Sequence, residues 1–174
     1  MARFKSIVTD AGAAALTALI AAGKPLILTH AAAGSGVATV SPNTLTGIVT
    51  PENVAVSLGE KDLIEGDPAI MRIPVQVTNE GLDTPVWIRE VAVYGKNIDG
   101  AEIMFCYGWL DGGDTDNVLP ATSFAEDADT VHVHDLAVFV TNQEAASVSV
   151  QVAPGSYVTR AQMTAYAAPL FHTQ

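Results

Sequence analysis

The chain has 174 residues, long enough for one domain with a full core, and it carries 8 basic against 19 acidic residues for a formal charge of -11. Its few basic residues are scattered, so a phosphate surface would repel it and nucleic-acid binding is excluded as an expectation. A single cysteine, Cys106, excludes an intrachain disulfide, and its place in an apolar run predicts a small buried hydrophobe.

The first residues, Met1 to Lys5, followed by alanines up to Ala22, imitate a secretory leader, but Asp10 and Thr17 interrupt the apolar run. The reading is therefore an unprocessed chain without a signal peptide. No stretch approaches the length of a bilayer span, so no membrane insertion is expected. Thr9-Asp10 offers a capping oxygen for a helix from about Ala11 to Ala22, and Gly23 with Pro25 supplies its stop. Ala13, Leu16, Leu19 and Ile20 form a narrow apolar stripe on it, suited to packing on a sheet or on a second copy.

Leu26 to Ala33 predicts a strand closed by Gly34 and Gly36. These glycines do not make a phosphate loop, because no Lys-Ser/Thr pair and no helix signal follow them. Val37 to Asn53 predicts a long surface connection, Val54 to Leu58 a short strand, and Glu60 to Asp67 a solvated acidic loop. Ile70 to Thr78 alternates, with Met71, Ile73, Val75 and Val77 on one face; Pro74 predicts an edge strand or a bulge. Asn79-Glu80-Gly81 then turns the chain.

Val86 to Leu110 predicts a central hairpin, with strands at Val86–Tyr94 and Ile103–Leu110 and a polar turn at Lys96–Gly100. Arg89 and Glu90 interrupt its first strand on opposite faces, so each needs its own partner or solvent. Asp111 to Asn117 is rich in glycine and carboxylate but lacks the full calcium-loop pattern, and 118–129 reads as further loop. Thr130–Thr141 and Ala146–Ala153 predict a second hairpin. A helical or loose segment is expected from Tyr157 to Ala168. The fold class is therefore α+β, mainly β, with an N-terminal helix on an antiparallel, sandwich-like sheet. Residues 1–155 are assigned to the domain and 156–174 to a C-terminal segment.

His132 and His134, at i and i+2 of a strand, share a face and are the one candidate metal pair. Two ligands fall short of a site unless copies meet about an axis, so no metal and no cofactor are expected. His30 and His172 add no third ligand by position. Cys106 lacks a motif-linked histidine, and Asp114 with Asp116 sits in a loop pattern, so no catalytic residues are assigned. Two alternatives remain: a carbohydrate-binding module lined by Trp87, Tyr107 and Trp109, and a metal-dependent enzyme built on the histidine pair.

Four blocks in order, Phe4 to Gly12, Leu28 to Gly36, Ile88 to Tyr94 and Thr159-Arg160, resemble the N-terminal domain of phage tail fibre proteins of the tail-collar family. Phe4 to Gly12 is similar to that family's aromatic, hydrophobic, Thr-x-Ala-Gly start. Leu28 to Gly36 is similar to its strand ending in Gly-x-Gly. Ile88-Arg89-Glu90-Val91-Ala92-Val93-Tyr94 is similar to its Ile-Arg-Glu strand, with Ala92 where Gly is usual, and Thr159-Arg160 matches a later block. The resemblance implies a non-enzymatic virion or tail-particle protein, made in the bacterial cytoplasm, that joins a fibre to the baseplate as a homotrimer. Other tail or baseplate proteins are its implied partners, with Tyr157, Arg160 and Met163 as the expected assembly surface. Such fibres usually continue into a shaft, so either a short adaptor or a fibre divided among chains is implied.

Overall fold

The structure, a computed structural model, describes the backbone of residues 4–59, 62–64, 69–110, 118–119, 131–140, 150–152 and 157–158, and the side chains of 5–59 and 72–110. Among the described residues two five-stranded sheets, a two-strand ribbon and one α-helix make up the fold, in keeping with the expected α+β, mainly β class. The first sheet contains β1 (Phe4–Val8), β2 (Leu26–Gly34), β7 (Glu90–Lys96), β8 (Glu102–Leu110) and β11 (Val150–Val152), in the order β1-β8-β7-β2-β11. The second contains β3 (Ala55–Gly59), β4 (Asp62–Ile64), β5 (Ala69–Thr78), β10 (Val131–Val140) and β12 (Tyr157–Val158). Its order is β10-β5-β3-β12, with β4 also on β5. A two-strand ribbon pairs β6 (Val86–Trp87) with β9 (Val118–Leu119).

The inward faces of the two sheets meet in one core. Leu26, Leu28, Val91, Val93, Phe105 and Cys106 come from the first sheet, and Leu58, Ile73, Val75 and Val77 from the second. Each large side chain buried this way contributes about 1.5–3 kcal/mol. The helix α1 (Asp10–Ala22) buries only Gly12, Ala15 and Leu19, so sheet against sheet holds the fold and the helix is an attachment to it. The buried stripe is rotated from the expected one, since Ala13 is exposed.

The turns follow their residues. Gly23 closes α1 at φ 63°, with its N–H and that of Lys24 donated to Ile20 and Leu19 carbonyls. At the tip of the β7–β8 hairpin, Asn97 Oδ1 accepts from the Asp99 and Ala101 amides, both at 3.0 Å, and Gly100 adopts φ 81°.

Six expectations need correction. The start of the chain, Phe4–Val8, is a strand along β8, where no strand was expected. The apolar run from Val86 is two strands rather than one, because β6 leaves for the ribbon and β7 begins only at Glu90. The expected second hairpin does not form: β10 pairs with β5, and β11 runs parallel to β2 in the other sheet. Alternation within a strand specifies a face and carries no information about partners. Within the expected acidic loop, Asp62–Ile64 pairs with β5.

Pro74 lies in an interior strand. On one side it faces β10; on the other it falls in the gap where β3 ends and β4 begins, against Gly59. That break tolerates a residue that cannot donate. Finally, Tyr157–Val158 is extended and parallel to β3, rather than the start of a helix.

Candidate functional site

Two joints organise the described part of the molecule, and both are built from motifs that looked separate in the sequence. The first is at the start of α1. A bulge in β8 lets Phe105 and Cys106 share the space opposite Val93, and this turns the Met104 and Phe105 carbonyls outward from the ladder. Thr9 takes them: its N–H donates to Phe105 O at 3.0 Å and its hydroxyl donates to Met104 O. The same hydroxyl oxygen accepts from the Gly12 amide at 2.9 Å, so Thr9 is the helix cap and Asp10 the first helical residue. A side chain on Gly12 would collide with the Phe105 carbonyl, which explains the glycine.

The second joint surrounds Glu90, whose side chain is fully buried. Its Oε1 accepts from the Gly36 amide at 3.1 Å and the Thr50 amide at 2.8 Å; Oε2 accepts from the Val49 amide at 3.0 Å and the Tyr107 hydroxyl at 2.7 Å. Four donors satisfy this buried carboxylate. The glycine turn after β2 thus does cradle an anion, but an internal one. Side chains at Gly34 or Gly36 would each approach Glu90 Oε1 to 2.6 Å. Burial and the neighbouring Glu90 carboxylate, as acceptor and as charge, push the Tyr107 phenol well above its ordinary range.

This carboxylate holds down a strap, residues 36–50, over the outer face of the first sheet. Leu45 and Ile48 of the strap, together with Tyr94 and Trp109, pack against Ala92, Met104 and Tyr107. Tyr94 adds a bond to the Ile48 backbone, which partly offsets the upward shift that burial gives its phenol. Near the α1 N-terminus the Asn43 amide donates to Asp10 Oδ1 at 3.0 Å. The sequence reading of a long surface connection holds for the chain path and misses the anchoring beneath it.

Beyond the strap, Tyr94 stacks on His30, with ring centroids 4.5 Å apart and planes 3° from parallel. Glu102 Oε1 accepts from the Thr29 hydroxyl at 2.6 Å and lies 2.8 Å from His30 Nδ1. Both partners of that contact are about half exposed, so it adds little stability. Among the described residues no group of three or more His, Cys, Asp or Glu side chains gathers as a metal site.

The expected site residues fall as follows. His132 and His134 stand opposite Val77 and Val75 in the β10–β5 register, and their side chains lie outside the described residues. Tyr157 pairs with Leu58; Arg160, Met163 and the 111–117 loop with Asp114 and Asp116 lie outside the described residues. The aromatic trio does not line a groove. Tyr107 is buried with its hydroxyl on Glu90, Trp109 stacks on Tyr107 with centroids 6.1 Å apart, and Trp87 is the exposed member, with the Arg89 guanidinium 4.9 Å above its ring. Arg89 and Glu90 each find a separate partner, as their opposite faces required.

Burial pushes the Cys106 thiol up to about 12. The native protein should therefore resist thiol reagents at about pH 8, where unfolded protein reacts freely; rapid native labelling, followed by mass, would disprove this. With the folded value raised, the contribution of the neutral thiol is complete below the unfolded value of 9.0 and is lost as pH rises towards about 12.

No helix among the described residues is long and apolar enough to cross a membrane. No family model, curated protein or solved structure matches the chain.

Proposed function

We propose that the chain is a structural protein of a phage or phage-like tail, a module that attaches a fibre to the baseplate and works as a homotrimer with other tail proteins as partners. It is a joint rather than an enzyme. The observation that carries this reading is the Glu90 clamp, which binds the Ile88-Arg89-Glu90 block to the Gly34-Ser35-Gly36 block through the Gly36 amide. A third block, Thr9 to Gly12, makes the other internal joint at the β8 bulge. The residues that carry the tail-collar resemblance thus serve as fold-defining contacts, which supports a shared architecture.

The carbohydrate alternative loses its support with the burial of Tyr107, since the proposed groove needed that ring exposed. The test of the tail reading is direct. Tail particles from the bacterium that encodes the chain are purified by density gradient and probed with an antibody to it. The expected result is co-sedimentation and labelling at the baseplate end. A chain found wholly in the soluble fractions while particles sediment would overturn the proposal.

A further inference from the structure

We infer that the strap is a self-association surface, and that its occupant is the equivalent strap of a second copy of this chain. Five large hydrophobic side chains are exposed among the described residues. Three of them, Val37 at 65%, Val40 at 56% and Val49 at 42%, lie on this one segment. The two ends of the strap lie side by side, because Val49 Cβ is 2.8 Å from the point where a side chain on Gly36, the residue before Val37, would begin. Leu45 and Ile48 already face the sheet, so the valines are left over from the strap's own packing.

Charge decides the occupant. From Ala31 to Pro51 the sequence has no charged residue, in a chain whose formal charge is -11. Two copies repel one another on approach through most other surfaces, and that repulsion is smallest where a neutral patch meets its own equivalent. The strap itself offers a basic partner no carboxylate, and the two beside it, Asp10 and Glu52, already accept from Asn43 and Ser35. A patch close to a rotation axis meets its own copies whatever the order of the axis. The strap is also fixed in advance by Glu90 and by Tyr94, so little backbone order is left to impose on contact.

The surface deepens the oligomer of the tail reading, but it does not require a tail. Sedimentation equilibrium of the purified full chain, over a range of concentrations and salt, tests it. Association should tighten as salt rises from about 0.05 to about 0.5 M, because screening removes like-charge repulsion while the apolar contact persists. Val37→Asp and Val40→Asp should each weaken it about tenfold or more, from lost apolar burial and the new charge. Both side chains are exposed, so circular dichroism and urea unfolding of the variants should match the parent. Ile98→Asp, on the exposed β7–β8 turn, should leave association unchanged.

A monomer at every concentration and salt, association that weakens with salt, or valine variants that associate like the parent would each overturn the inference. Its failure is separable from that of the tail reading. Particles that carry a chain whose association ignores the valines defeat this inference alone. A chain that associates through the strap yet never joins particles defeats the tail reading alone.

Discussion

Replacing Glu90 by alanine is expected to lower the unfolding free energy by about 4 kcal/mol, the largest effect of any single change considered. The substitution leaves three backbone amides and the Tyr107 hydroxyl without their acceptor. Each orphaned buried donor costs about 1–3 kcal/mol, so four kept in place would exceed what one site normally loses. The strap has a cheaper response, which is to lift into water. It then gives up the packing of Leu45 and Ile48, about 1.5–3 kcal/mol each at full burial and less here because both are only partly buried. The lower of the two costs sets the result. Urea unfolding followed by tryptophan fluorescence measures it, and amide exchange at Gly36, Val49 and Thr50 should show the strap released. Glu90→Gln should cost about half as much, since one oxygen remains and its new amide group faces the Val49 amide or Tyr107. An alanine variant within about 1 kcal/mol of the parent would mean that the clamp is not what holds the strap.

Gly12→Ala is the second large effect, and its sign runs against helix propensity. In an isolated helix the change is favourable by about 1 kcal/mol. Here the added carbon would overlap the Phe105 carbonyl, and both groups belong to backbone, which has no side-chain rotation to relieve the clash. Either the start of α1 rises from β8 and breaks the Thr9 bonds, or the bulge shifts and disturbs Phe105 and Cys106 in the core. A net loss of about 2–4 kcal/mol is expected, from overpacking together with a weakened cap. Thermal unfolding decides it. A variant more stable than the parent would show that the helix does not sit on β8 as described.

Much of the fold could be read from local chemistry. Thr9, Gly23 and Pro25 bracket α1, Asn97 to Gly100 makes a turn, and alternation in Ile70–Thr78 places Ile73, Val75 and Val77 in the core. What failed was partner choice. The valines of Val150–Val152 fit a hairpin with the preceding strand as well as they fit a parallel edge on β2, because side-chain period specifies a face and not a neighbour. Phe4–Val8 was hidden by its likeness to a leader.

The central joint left one signal that residue reading alone did not use fully. A carboxylate inside a run as apolar as Val86 to Tyr94 must be satisfied if buried, and the glycine turn supplies the close amide it needs. Nothing local says that Val49, Thr50 and Tyr107 complete the shell. The surface quartet of Thr29, His30, Tyr94 and Glu102 was equally hidden, since it depends on the register of β2, β7 and β8.

The separation along the chain between Glu90 and its donors bears on the order of folding. The carboxylate lies 54 residues from Gly36, 41 from Val49 and 40 from Thr50, but only 17 from Tyr107. The near bond is made when the β7–β8 hairpin closes, whereas the far ones require β2 to have joined the sheet and about 15 further residues to have been drawn back across it. The strap is thus expected to arrive late, after the transition state. Loosening it should leave the folding rate almost untouched and appear as faster unfolding, so the clamp acts on the lifetime of the native state.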